Sequence, residues 1–172
     1  MAKKAQPAEI VREYGPFPGA TNVSGVSFDG RHVWFGAGDT LRALDPATGE
    51  SVRSLDVASD AGTAFDGRHL YQIAEDRIQK VDPATGKVLS TIPAPGGGKD
   101  SGLTWAEGTL WVGQYRERKI HQIDPETGEV LTRLTMPEGT EVTGLESDRR
   151  DLFYAGGGPS GRIRAVRRPG KR

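Results

Sequence analysis

Cysteine is absent from the 172 residues, so the chain has no disulfide framework and no thiolate metal site. Neither sign of charge dominates: 23 Lys and Arg stand against 23 Asp and Glu. That balance excludes a strong whole-molecule attraction to nucleic acid or to an anionic membrane. No apolar run approaches the roughly 20 residues that a membrane-spanning helix needs. The opening Met1-Ala2-Lys3-Lys4-Ala5-Gln6-Pro7 lacks the apolar core of a secretory leader. With the missing cysteine, this gives the expectation of a cytoplasmic protein. Helix-favouring stretches are scarce as well. In their place stand 24 glycines and 11 prolines, a composition full of turns. The length favours one domain with a sizeable core.

Two markers recur along the chain. The first is a turn: Asp45-Pro46-Ala47-Thr48-Gly49-Glu50, Asp82-Pro83-Ala84-Thr85-Gly86-Lys87 and Asp124-Pro125-Glu126-Thr127-Gly128-Glu129, with starts 37 and 42 residues apart. The second is a short segment opened by glycine: Gly25-Val26-Ser27-Phe28, Gly62-Thr63-Ala64-Phe65, Gly102-Leu103-Thr104-Trp105 and Gly144-Leu145-Glu146-Ser147, spaced by 37, 40 and 42. The markers drift together, as loop insertions would make them. The third unit shows the content of one repeat. Gly102 to Trp105 is a first strand, Thr109 to Gly113 a second, Lys119 to Ile123 a third and Val130 to Leu134 a fourth. In the Asp-Pro-x-Thr-Gly turn, proline presets φ, the Asp or Thr oxygen accepts a local N–H, and glycine takes positive φ. Four strands in about 40 residues make one blade of a β-propeller. The second strands carry Trp34, Tyr71, Trp111 and Phe153, read as core rings wedged between neighbouring sheets rather than as a ligand cage.

The fourth unit stops short. Leu152 to Ala155 and Arg162 to Val166 supply its second and third strands, and no fourth strand follows. A spare strand stands at the other end, where Glu9-Ile10-Val11-Arg12-Glu13-Tyr14 resembles Glu129-Val130-Leu131-Thr132-Arg133-Leu134. Pairing the two removes an open sheet edge. The expected fold is therefore all-β: a four-bladed propeller over 9–168, with four antiparallel strands per blade and the last blade closed by the N-terminal strand. The blades fall at about 25–61, 62–101, 102–143, and 144–168 with 9–24; residues 1–8 are expected to be flexible and 169–172 to form a basic tail. The arginine-rich stretch from Arg162 reads as a solvated terminus. Closure within one chain gives a monomer. The rival is a half-ring that pairs with a second copy into eight blades.

Segments such as Gly102-Leu103-Thr104-Trp105, Gly108-Thr109-Leu110-Trp111-Val112-Gly113 and Ile120-His121-Gln122-Ile123-Asp124-Pro125-Glu126-Thr127-Gly128 resemble a broad propeller group. It holds virginiamycin B lyase, the propeller-type glutaminyl cyclotransferases, the gluconolactonase family and YVTN-repeat proteins. The resemblance implies blade architecture over nearly the whole chain, with fewer blades than the group usually has, as in a natural miniature or an engineered propeller. It also implies where catalytic groups would stand. A lyase-like metal glutamate should follow the second-strand aromatic, yet Trp34-Phe35-Gly36-Ala37, Tyr71-Gln72-Ile73-Ala74 and Trp111-Val112-Gly113-Gln114 lack one. A cyclotransferase-like glutamate should precede the strand glycine, where Ser24, Ala61, Ser101 and Thr143 stand.

The loops entering the first strands form the expected mouth of a central channel. There Asn22, Asp60, Asp100 and Glu141 could together hold Ca²⁺ or Mg²⁺ through oxygen ligands, with solvated loop residues as the plainer reading. Lys99 beside them could offset that charge or bind an anion. Glu146 is the one carboxylate within a first strand, against Ser27, Ala64 and Thr104 in the other units. It is the candidate ligand or general base, its affinity for a proton raised if buried. His32 and His69 repeat one turn, His121 stands alone in a third strand, and the three form no catalytic or zinc set. Gly96-Gly97-Gly98 and Gly156-Gly157-Gly158 lack the lysine and helix of a phosphate-binding loop and read as plain loops. Two functions follow. One is a non-catalytic scaffold or binding module that takes a small molecule or a protein at the channel mouth. The other is a metal-dependent lyase or hydrolase acting on a small cyclic or ester substrate.

Overall fold

A computed structural model of the chain describes residues 4–23, 26–28, 31–37, 40–55, 62–74, 76–82 and 87–170. Among these residues every regular element is a strand. β1 (Gln6–Pro7) and β2 (Glu9–Tyr14) come first. Four sets follow: β3 (Val26–Phe28), β4 (Val33–Ala37), β5 (Thr40–Leu44) and β6 (Ser51–Leu55); β7 (Thr63–Phe65), β8 (Leu70–Ala74), β9 (Arg77–Val81) and β10 (Val88–Pro93); β11 (Asp100–Ala106), β12 (Thr109–Gln114), β13 (Lys119–Ile123) and β14 (Val130–Thr135); β15 (Leu145–Ser147), β16 (Leu152–Gly156) and β17 (Ile163–Arg167). Each of the first three sets is an antiparallel sheet in chain order, and the fourth is ordered β15-β16-β17-β2.

The repeated turns form for the reasons their residues suggest. Asp45 Oδ1 accepts the Ala47 N–H at 2.8 Å, and Asp124 Oδ1 accepts those of Glu126 and Thr127 at 2.8 and 3.1 Å. Thr48 and Thr127 accept from Glu50 and Glu129 at 3.2 and 3.1 Å, and Gly49 and Gly128 take φ of +79° and +77°. The residues of the middle copy, 83–86, lie outside the described ones.

The spare N-terminal strand meets the unfinished sheet as expected: β2 pairs antiparallel with β17, with Ile163 opposite Tyr14 and Val166 opposite Ile10. Glu13 reinforces the pairing by accepting from Arg164 at 2.6 Å and Arg162 at 2.8 Å. From Arg162 to Arg168 the arginine-rich stretch is therefore tied into the fold rather than solvated, and residues 171 and 172 lie outside the described ones. Arg164 and Arg168 are buried, and Arg168 reaches Ser147 Oγ at 3.2 Å and Glu107 at 3.3 Å. Of the segment 1–8, expected to be flexible, residues 1–3 lie outside the described ones, and 6–8 meet a sheet edge. Gln6 and Pro7 form a short strand parallel to β14, and the Ala8 N–H donates to Thr135 O at 2.6 Å. Proline is tolerated there because an edge strand can leave an N–H position empty. The N-terminal segment thus covers the outer edges of the third and fourth sheets in turn.

Two of the strand glycines, Gly62 and Gly102, have a steric cause. A Cβ at Gly102 would lie 2.7 Å from Leu145 N and 2.9 Å from Gly144 C, and one at Gly62 would lie 2.7 Å from Ser101 O. The innermost strands of adjacent sheets pass too closely there for any side chain.

Three apolar cores lie between neighbouring sheets. Ala64, Tyr71 and Ile78 meet Leu103, Leu110 and Val112 between the second and third; Trp111, Ile120 and Leu134 meet Leu145, Phe153 and Val166 between the third and fourth; Tyr14, Tyr154 and Ile163 meet Val33, Phe35 and Leu44 between the fourth and first. Burial of each large side chain stabilises by about 1.5–3 kcal/mol. The described residues form no fourth core between the first and second sheets. The cross-strand row Phe65–Leu70–Val81 corresponds to Phe28–Val33–Leu44, Trp105–Leu110–Ile123 and Ser147–Phe153–Val166, yet Phe65 is 46% exposed.

Tyr71, Trp111 and Phe153 are buried core rings, and the Trp34 side chain lies outside the described ones. Their expected equivalence holds for Tyr71 and Trp111 but shifts by one residue in the fourth unit. Tyr71 stands opposite Ala64, Trp111 opposite Thr104, and Tyr154 opposite Glu146. Phe153 is the counterpart of Leu110 and points the other way, onto Trp111, with ring centroids 4.7 Å apart. Adjacent strand residues face opposite sides of a sheet, so a shift of one exchanges seams.

Candidate functional site

The loops 94–99, 115–118 and 136–144 gather at one end of the sheets, because each follows the even-numbered strand of its hairpin or sheet. Side chains there first serve to join the sheets. Ser101 Oγ donates to Val142 O at 2.6 Å, and Thr143 Oγ1 donates to Val23 O at 2.5 Å. Val23 in turn bridges to Gly158.

Of the expected mouth residues, Asn22 is exposed and Asp60 lies outside the described residues. Asp100 is half-buried in β11, where Oδ2 accepts the Gly96 N–H at 3.0 Å and Oδ1 accepts from Gln114 at 3.4 Å. Burial pushes its carboxyl above the usual range, against the pull of those two bonds. Glu141 is half-buried and accepts from the Tyr115 hydroxyl, which burial and that carboxylate hold above its ordinary pKa. Among the described residues, no three His, Asp or Glu side chains come together as a metal cluster. Glu146 faces the neighbouring sheet. Thr104 Oγ1 donates to it, and the Ser147 N–H reaches Oε1 at 3.0 Å.

The least expected group surrounds His121. On β13, Lys119 and His121 share one face, and Arg133 of β14 stands directly opposite His121. Lys99, from the loop that crosses from the second sheet, joins them around a cleft of about 430 Å³ that also includes Gln114 and Glu117. His121 is only 5% exposed, and neither ring nitrogen has a hydrogen-bond partner among the described residues. Burial first, then the Arg133 and Lys119 charges, drive its pKa down from 6.5 to about 4. Read as a lone third-strand histidine, it carried no signal by itself. The signal was the alternation Lys119-x-His121 on one strand with arginine on the next.

A second cleft of about 480 Å³ opens at the opposite end of the same seam, lined by Asp66, His69, Tyr71, Lys80 and Trp105. It is a packed turn: Asp66 Oδ1 accepts the Arg68 and His69 N–H groups at 2.7 and 2.6 Å, and Tyr71 stacks on Trp105 at 5.4 Å.

The buried imidazole makes stability depend on pH. A histidine whose folded pKa is depressed binds more protons unfolded than folded between about 6.5 and 4, so its contribution falls as pH drops through that window. The groups around it are Lys119, Arg133, Lys99, Glu117 and Gln114. The full effect is about 3 kcal/mol. Urea denaturation at pH 7 and pH 4 should show His121→Gln losing less stability than wild type by that amount. Parallel losses in the two proteins would refute it.

Four antiparallel sheets of four strands, the third extended by the short parallel β1, repeat at about 40 residues and pack through three apolar seams; they define a β-propeller protein. A family profile described as outer membrane protein assembly factor BamB matches residues 37–169, and the chain belongs to that family. No curated protein matches the chain. Among solved structures, the glutaminyl cyclase of Myxococcus xanthus is similar over 95% of this chain and 97% of its own, with TM-score 0.63 and 13% identity. The WD40 repeats of RRP9 (TM-score 0.48, 15% identity, 94% of this chain) and U3-55K (0.48, 15%, 92%) are similar over about half of their own lengths, 52% and 51%.

Proposed function

We propose that this chain is a non-catalytic propeller of four blades that serves as a binding module. Its ligand is taken at the end where the 94–99, 115–118 and 136–144 loops gather. The observation that carries this reading is the use to which the polar groups there are put. Ser101 and Thr143 occupy the position at which the cyclotransferase resemblance implies a catalytic glutamate, and both hydroxyls join neighbouring sheets. Asp100 and Glu146, the acids nearest the first strands, are engaged by Gly96, Gln114, Thr104 and Ser147. None of these groups is arranged as a nucleophile with its base. The family description, an assembly factor, suits a scaffold, and the likeness to a glutaminyl cyclase at 13% identity is one of fold. The alternative, a metal-dependent lyase or hydrolase using Asn22, Asp60, Asp100 and Glu141, would need Asp100 to exchange its present partners for an ion.

A glutaminyl peptide and a simple lactone, each incubated with the protein in the presence and absence of Ca²⁺, Mg²⁺ and Mn²⁺, test the choice. Conversion should run at the spontaneous rate, unchanged by Glu146→Gln or Asp100→Asn. Faster conversion that either substitution abolishes would overturn the binding-module reading.

A further inference from the structure

We propose that the cleft between the second and third blades, floored by His121 and walled by Lys99, Lys119 and Arg133, binds the phosphate group of a small phosphomonoester. The proposal deepens the binding-module reading and rests on it.

Among the described residues the cleft is lined by three cationic side chains and one carboxylate, Glu117, on a molecule whose total charge is zero. The concentration of positive charge is therefore local. Asp100 lies next to it, accepting from the neutral Gly96 and Gln114 amides, so three cations face two carboxylates and an excess of positive charge remains. A phosphomonoester near neutral pH carries about 1.5 to 2 negative charges and three acceptor oxygens, which suits two ammonium groups and one guanidinium. Its volume, about 430 Å³, falls among ordinary small-ligand sites and exceeds what a bare phosphate fills. It leaves room for an organic substituent beside the phosphate.

His121 supplies the observation independent of charge. A side chain 5% exposed with two ring nitrogens lacking protein partners is costly, since buried polar groups are as a rule satisfied. Held neutral, the ring has one donor and one acceptor, both closed to solvent, so a ligand hydroxyl meets them only after the side chains of the cleft shift. Its own charge is suppressed partly by Arg133 and Lys119. An anion seated on those two cations relieves that suppression, so binding and protonation of His121 are coupled.

Titration of the ¹⁵N-labelled protein with glycerol 3-phosphate, inorganic phosphate and sulfate, at constant ionic strength, tests this by NMR. Saturable shifts are expected at Gly96, Lys99, Lys119, His121 and Arg133, tightest with the monoester. The His121 ring protons should titrate at higher pH once the monoester is bound. Lys119→Gln with Arg133→Gln should weaken binding by at least about tenfold. Lys99→Gln, on an exposed loop, repeats the test with no demand on folding and should also weaken it. Non-saturable shifts spread over the surface, or equal affinity in the variants, would overturn the proposal. That failure leaves the turnover assay untouched, and catalysis found there would leave this titration standing.

Discussion

Deletion of residues 1–14 leaves a chain with no cooperative unfolding transition. The deletion removes β2 from β17, so a strand paired on both sides becomes an open edge. It removes Tyr14, 5% exposed in the core shared by the fourth and first sheets, together with its hydroxyl bond to Pro46 O at 2.7 Å. It strips Glu13 from Arg164, whose side chain is 8% exposed. Leaving a buried charge without its partner costs about 3–5 kcal/mol. Loss of Tyr14 packing adds about 3 kcal/mol or more, by comparison with other aromatic truncations. Those two alone reach the lower range of a domain's whole stability, about 5–15 kcal/mol. Thermal melts by circular dichroism provide the check, with a peptide of residues 1–14 added back as control. A truncated chain melting within a few degrees of the intact one would mean that the fourth sheet does not need its N-terminal strand.

Phe153→Ala lowers stability by about 3–5 kcal/mol, the range of a fully buried phenylalanine truncation. The ring is 0% exposed, sits 4.7 Å from Trp111 and lies under the Arg168 guanidinium at 5.9 Å. Its loss opens a cavity in the seam between the third and fourth sheets and also loosens the cover that Arg168 provides. Phe153→Leu retains most of the volume and costs less, about 1 kcal/mol. Urea midpoints measured for both, with unchanged slope, give the comparison. Equal small effects would show that this seam is loosely packed and that the register placing Phe153, rather than Tyr154, against Trp111 is wrong.

Much of the architecture was legible because it is local and repeated. The Asp-Pro-x-Thr-Gly turns satisfy themselves through bonds two to five residues apart, so the same letters give the same turn at Asp45 and Asp124. Strand alternation set the sheets, and the match between 9–14 and 129–134 identified the strand that completes the fourth. What failed was of another kind. Phe153 and Tyr154 are adjacent and both aromatic, so composition could not choose their faces; the Ser147–Phe153 pairing chose them. Gln6 and Pro7 have no alternation to mark a strand and become one only because the β14 edge lies beside them.

The site divides along the same line. Asp100, Glu141 and Glu146 could be singled out by position in the repeat, but their partners, Gly96 and Gln114, Tyr115, and Thr104 with Ser147, come from separate turns and strands. His121 looked solitary because its cations arrive from three places: Lys119 two residues away, Arg133 across a hairpin and Lys99 from the preceding sheet. The sequence by itself determined the blade, its turns and which ends of the chain belong together, since these follow from short-range backbone chemistry and strand periodicity. Only the tertiary structure decided which faces meet and which charges share a cleft, because sheet-to-sheet packing joins residues that no local rule relates.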